Sequence, residues 1–210
     1  MNLINEQEKV IIKLINVSKR YGKNIVLDNI SLEFKTGKCY MLLGENGSGK
    51  TTILKIILGL ISCEGTAVVK SKNIGYVPDN LNFPCYVKVA DFLLNMGLIK
   101  GIKAERLQAS IKILLSQWEL LHCRDKRISE LSKGMRQKVL IIQAMLHNPD
   151  LYIFDEALNG LDQNMQLKLL DFIKAIKDAG RTIIITSHYF AVYKSIVDEV
   201  IYLKDGKTCV

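Results

Sequence analysis

The stretch Gly44-Glu45-Asn46-Gly47-Ser48-Gly49-Lys50-Thr51 constrains this chain more than any other. It fits G-x-x-x-x-G-K-[ST], a pattern in which a glycine-rich loop cradles phosphate. That pattern carries meaning only between a strand and a helix, and both flanks fit. Residues 38–43 (KCYMLL) are a short apolar run, as a buried strand requires. Residues 52–60 (TILKIILGL) repeat apolar side chains at helical spacing. The residue types follow from the chemistry of polyphosphate, which is dense negative charge. Gly44, Gly47 and Gly49 carry no Cβ, so the backbone is free to curl and aim N–H groups inward. The next helix adds its unpaired first-turn N–H groups and the positive end of its dipole. Lys50 brings a point charge to the β- and γ-phosphates, and the Thr51 hydroxyl is suited to Mg²⁺. Glu45, Asn46, Ser48 and Thr52 complete the expected nucleotide contacts.

The flanking sequence organises into an α/β chain. Residues 10–17 and 26–34 look like strands, with a turn at Lys19-Arg20-Tyr21-Gly22 between them. Residues 65–70 and 73–77 suggest two more strands, ended by Pro78. Residues 87–148 then become almost wholly helical, with segments at 87–96, 104–121 and 129–147. Ser129 is a plausible start for the last of these. Strand patterns resume at 150–155, 181–186 and 199–203, with a helix over 162–179. At 210 residues, 49% hydrophobic and 24% charged, the chain has the size and composition of one globular domain.

Residues 151–156 (LYIFDE) are an apolar strand ending in two acids. At a strand tip beside a phosphate loop, Asp155 is placed to bind Mg²⁺ directly or through water. Glu156, one residue on, leaves on another side and is suited to deprotonate an attacking water.

With these residues in view, the chain resembles the nucleotide-binding subunit of an ABC transporter. Leu131-Ser132-Lys133-Gly134-Met135 resembles the family's signature motif, and Asn159-Gly160-Leu161-Asp162 its D-loop. Thr186-Ser187-His188 resembles the strand end that carries the switch histidine, and Tyr21 the aromatic that stacks on adenine. The resemblance covers residues 10–205. It implies a P-loop NTPase with a RecA-like core, a helical subdomain insert and an N-terminal antiparallel β region. The implied core is 1–78 with 149–210, and the insert about 79–148. It also implies ATP and Mg²⁺ as cofactors, with Glu156 and His188 catalytic and Thr51, Asp155 and Asp79 near the metal. Ser132, Gly134 and Asp162 would meet nucleotide across the interface of a homodimer or heterodimer. Hydrolysis would drive a separate transmembrane permease, and the form S-K-G-M-R-Q resembles exporter-type subunits. Position 79, after Pro78, carries glutamine in most of the family, so Asp79 is a departure. So are Lys133 for a second glycine and Ala157 for a proline.

The remaining features narrow the setting. No uncharged stretch approaches the roughly 20 apolar residues of a membrane span, so any crossing would fall to another chain. The resemblance implies the cytoplasmic face of the cell membrane, peripherally, as the working place. Five scattered cysteines without a CxxC pair read as small buried hydrophobes in a reducing compartment. The polar start reads as lacking a signal peptide, and from the short stretch after Gly206 no C-terminal regulatory domain is expected. The net charge of +8 is dispersed without blocks, so no nucleic acid partner is expected. A soluble ABC ATPase working on ribosomes or DNA is the alternative. A phosphate-loop kinase would leave the signature and His188 without a role.

Overall fold

The computed structural model describes residues 9–79, 83, 84 and 86–209. In chain order the elements are β1 (Val10–Tyr21), β2 (Asn24–Lys35), β3 (Cys39–Leu43), α1 (Lys50–Ile57), β4 (Glu64–Val69) and β5 (Ile74–Val77). Then come α2 (Val89–Ile99), α3 (Ala104–Gln117), α4 (Lys133–Met145), β6 (Leu151–Asp155), α5 (Gln163–Asp178), β7 (Thr182–Thr186), α6 (Phe190–Tyr193), β8 (Glu199–Lys204) and β9 (Lys207–Cys209). Two compact units result, Met1–Lys72 with Ile173–Val210, and Asn73–Phe172.

The first unit holds an antiparallel sheet, β2-β1-β4, and the strand that feeds the phosphate loop. β3 lies parallel between β7 and β8, and β9 folds back antiparallel on β8. Parallel strands covered on both faces must be apolar throughout. β7 is buried at every position and β3 at all but Leu43. Helix α1 turns Ile53, Leu54, Ile56 and Ile57 inward and packs on β2 and β4. Each such side chain contributes roughly 1.5–3 kcal/mol on burial. At the base of β3, the Cys39 amide donates to Asp198 at 2.8 Å, and Lys177 pairs with the same carboxylate at 2.6 Å. Burial pushes the Cys39 thiol up to about 12, against the opposing pull of Lys177.

The second unit packs α2, α3 and α4 together around Leu93, Leu107, Leu115 and Trp118. Its strands β5 and β6 run parallel, and α4 lies on β5. The Gln143 amide donates to the Tyr76 carbonyl at 2.5 Å, fixing that helix to that strand.

Several local expectations need correction. Lys19, Arg20 and Tyr21 are not a turn but the end of β1, and the turn is Gly22-Lys23. The helix expected to reach Leu121 stops at Gln117, because Glu119 adopts a left-handed backbone, φ 57°, and a 3₁₀ turn follows at Leu121–Cys123. Ser129 does not start α4. It sits in a separate 3₁₀ turn, Ile128–Glu130, closed when the Arg127 amide donates to Glu130 at 2.6 Å. Cys39 and Cys123 are buried as expected, but Cys63 is half-buried and Cys209 exposed. Cys85 and the start of the chain lie outside the described residues.

The β1–β4 pairing contains a register shift between Ile15 and Ser18, where Asn16 takes φ 49° and Gly65 on the facing strand φ 85°. A Cβ on Gly65 would stand 2.3 Å from the Asn16 carbonyl oxygen and 2.6 Å from that of Ile15. Gly65→Ala therefore combines a left-handed penalty with a backbone clash. Its urea unfolding midpoint should fall by the equivalent of about 3 kcal/mol.

Candidate nucleotide site

The phosphate loop follows β3 and runs into α1 without a side-chain cap, because the helix N-cap is Gly49. Gly49 has φ 107°, and a Cβ there would meet Leu27 Cδ2 at 2.6 Å and the Val26 carbonyl oxygen at 3.0 Å. At the other end of the loop a Cβ on Gly44 would stand 2.3 Å from the Leu203 carbonyl oxygen. The glycines thus let the loop press against β2 and β8 as well as curl. Between them Lys50 is 7% exposed and donates to the carbonyls of Gly44 at 2.7 Å and Glu45 at 3.0 Å. The ammonium holds the loop closed from inside. The Ser48 amide donates to Glu45 at 3.2 Å, while the buried Ser48 Oγ has no partner among the described residues. A buried hydroxyl costs about 1–3 kcal/mol unless it is bonded, so this atom suits an oxygen-rich ligand. Gly44–Ser48 also line a cavity of about 400 Å³, shared with Tyr202–Asp205 and Cys209. Glu45, Asn46, Gly47 and Thr51 are exposed and Thr52 is half-buried.

Tyr21 is 47% exposed at the end of β1, with the Lys19 ammonium 5.5 Å from its ring centroid. His188 is exposed, two residues beyond β7, after the buried Thr186 and Ser187.

The second unit gathers the acids and the signature residues. Asp155 is 2% exposed at the tip of β6. Tyr76 on β5 donates to its Oδ2 at a long 3.5 Å. Burial, then the Asp155 carboxylate, then Asp79, push the Tyr76 phenol far above its ordinary value, so it remains a proton donor. Glu156 comes next with φ 48°, a conformation that L-residues other than Asn and Asp rarely adopt. The turn after it is held by several bonds. The Asn159 amide donates to the Glu156 carbonyl at 3.0 Å, and Gln137 Nε2 donates to that of Ala157 at 3.2 Å. Gln166 Nε2 donates to that of Leu161 at 3.1 Å. Asn159 Nδ2 donates to Asp79 Oδ1 at 3.2 Å. Asp162 caps α5, its Oδ1 accepting from the Met165 amide at 3.0 Å.

Ser132 is the N-cap of α4, and its Oγ accepts from the Met135 amide at 3.2 Å. Gly134, in the first turn, faces the backbone of Gly160, and a Cβ there would lie 2.4 Å from that carbonyl oxygen. The Lys133 stem runs over the open face of Gly160. Two contributors escaped sequence reasoning, Tyr76 and Gln137. Both lie on regular elements, and only three-dimensional neighbours give them a role.

Removing the cap should be visible without any ligand. Ser132→Ala should lower stability by about 1 kcal/mol, and Ser132→Asp, which can still accept from the Met135 amide, should restore it. Urea denaturation of nucleotide-free protein measures both.

Comparison with known proteins identifies the family. Residues 27–159 match the family model described as ABC transporter. An uncharacterized ABC transporter ATP-binding protein of Methanocaldococcus jannaschii is 39% identical over 93% of this chain and 75% of its own length. The Nod factor export ATP-binding protein I of Burkholderia lata is 32% identical over 91% of this chain and 67% of its own. The zinc import ATP-binding protein ZnuC of Yersinia pestis is 33% identical over 95% and 78%. Among solved structures, a dimeric post-hydrolysis ATP-binding cassette bound to ADP and Pi superimposes with a TM-score of 0.86. It is 25% identical and covers 94% of this chain and 96% of that one.

Proposed function

Because this chain belongs to the ABC transporter family as an ATP-binding, ATP-hydrolysing subunit, we propose that it powers a separate transmembrane permease and that the transport is outward. The observation that carries this is one chain holding both a curled phosphate loop closed by Lys50 and a signature helix capped by Ser132. No helix among the described residues is long and apolar enough to cross a membrane, in keeping with a separate permease. The working place proposed is the cytoplasmic face of the membrane, peripherally. In this reading 1–78 with 149–210 form the nucleotide-binding core and about 79–148 the helical insert.

The roles divide by chemistry. Tyr21 offers an aromatic face to adenine. Gly44 through Thr52 supply backbone donors, and Lys50 neutralises charge on the β- and γ-phosphates. Thr51 and Asp155 are hard oxygen donors that would hold Mg²⁺, which supplies charge neutralisation at phosphate oxygens. A magnesium ion of this kind needs few protein ligands, and the described residues contain no cluster of three or more His, Cys, Asp or Glu. Glu156 orients the attacking water and takes its proton. His188 donates toward the γ-phosphate. Ser132 and Gly134 serve the nucleotide held by a second subunit, identical or related, with Asp162 at the same interface. Neither subunit alone stabilises the transition state, so ATP binds the pair together and hydrolysis loosens it.

Glu156→Gln should retain ATP binding, lose nearly all turnover and shift to a dimer on addition of ATP. Light scattering and phosphate release measure the two, and turnover at the normal rate would remove Glu156 as the base. Lys50→Ala should weaken ATP binding roughly 10- to 100-fold, the worth of a charge-assisted contact, as calorimetry would show.

Coexpression tests the transport role. A permease should copurify and change the ATPase rate. Direction rests on the S-K-G-M-R-Q signature and the Nod factor export relative, against a zinc import relative of similar identity. In inside-out vesicles an exporter accumulates its cargo when ATP is added, and an importer depletes it.

A further inference from the structure

We propose that Asp79 is a positioning residue, acting through Asn159 on the turn that aims Glu156, and not a ligand of the metal. The inference rests on the role of Glu156 proposed above.

The backbone of Glu156 sits at φ 48°. A non-glycine residue is held there at a cost of roughly 1–3 kcal/mol, and only when its surroundings over-determine it. The next residues are fixed at several points. Gln137 of α4 holds the Ala157 carbonyl, and Gln166 of α5 holds that of Leu161. The Gly160 carbonyl rests where Gly134 has no side chain. Those contacts all come from α4 and α5. The Asn159 side chain is tied instead to Asp79, just beyond β5, at 3.2 Å. The same Asn159 donates its amide to the Glu156 carbonyl at 3.0 Å, so one residue joins Asp79 to the strained position.

The chemistry of Asp79 supplies a test of the assignment. Its carboxylate meets a neutral amide donor, for which an acceptor oxygen matters more than the charge. That gives a discriminating pair of substitutions. Asp79→Asn keeps an acceptor oxygen and loses the charge, while Asp79→Ala loses both.

The experiment measures ATPase kinetics against magnesium concentration in Asp79→Ala, Asp79→Asn, Asn159→Ala and the double variant Asp79→Ala/Asn159→Ala. Asp79→Ala and Asn159→Ala should each lower kcat about tenfold, with the magnesium midpoint and the KM for ATP within about twofold of wild type. The double variant should be no worse than either single one, because both remove the same tie. Asp79→Asn should recover most of the lost kcat. A magnesium midpoint raised in both Asp79→Ala and Asp79→Asn would make Asp79 a metal ligand and overturn the proposal, as would additive losses in the double variant. A second measurement does not depend on turnover. In nucleotide-free protein, hydrogen exchange at the Asn159 and Leu161 amides should quicken in Asp79→Ala and not in Asp79→Asn. Unchanged exchange in Asp79→Ala overturns the proposal. If the wild-type protein fails to hydrolyse ATP, the proposed role of Glu156 falls, and the exchange measurement still decides whether Asp79 sets the turn.

Discussion

Backbone pressed directly on backbone is the constraint on which both halves of this molecule depend. A Cβ cannot occupy the space between the Gly44 backbone and the Leu203 carbonyl oxygen, nor that between Gly134 and Gly160. Each contact joins a loop rich in polar groups to a regular element that does not move easily. The first brings the phosphate loop against β8. The second brings the start of α4 against the turn after β6. Side-chain packing alone would leave both loops a methyl group or more away from their supports, and contact energy falls steeply across such a gap.

These contacts convert ordinary stability into precise placement. The strands behind the two loops are nearly continuous apolar runs, and their burial is the main favourable term. Polar groups at the strand tips are then held by short, local bonds. Lys50 closes its own loop, Ser132 caps its own helix and Asp162 caps the next. Chemistry that needs charge placed to a fraction of an ångström benefits when each group is fixed by its immediate neighbours. The left-handed Glu156 is the exception. It is an unfavourable conformation maintained by bonds to residues on either side, and that is where a functional reading has most to explain.

Much of this was legible in the residues alone, and the reasons are physical. The loop from Gly44 to Thr51 shows itself because phosphate binding demands particular residue types at fixed spacing. β3, β6 and β7 show themselves because strands buried on both faces carry almost no polar side chains. The short pieces were not legible. β9 has three exposed residues and α6 has four residues, too few for any periodicity. That α4 begins after Ser132 and not at Ser129 goes with the Arg127–Glu130 bond, which closes a separate turn upstream. The pairing of Asp79 with Asn159 joins residues 80 apart in the chain, and nothing local announces it. The close approach of Gly134 to its own chain at Gly160 was likewise not legible, because it joins two segments distant in sequence.

The hairpin of β8 and β9 adds one more consequence. The Gly206 carbonyl accepts from the Asp28 amide at 2.9 Å, and Lys207 pairs with the Asp28 carboxylate. Leu203 in the same hairpin is the wall against which Gly44 rests. This peripheral ribbon is therefore a buttress: it ties β2 to the back of the loop that grips phosphate. Damage to it by a fused tag, a proteolytic nick or a drifting sequence would surface as weakened nucleotide affinity, and the fault would be sought in the wrong place.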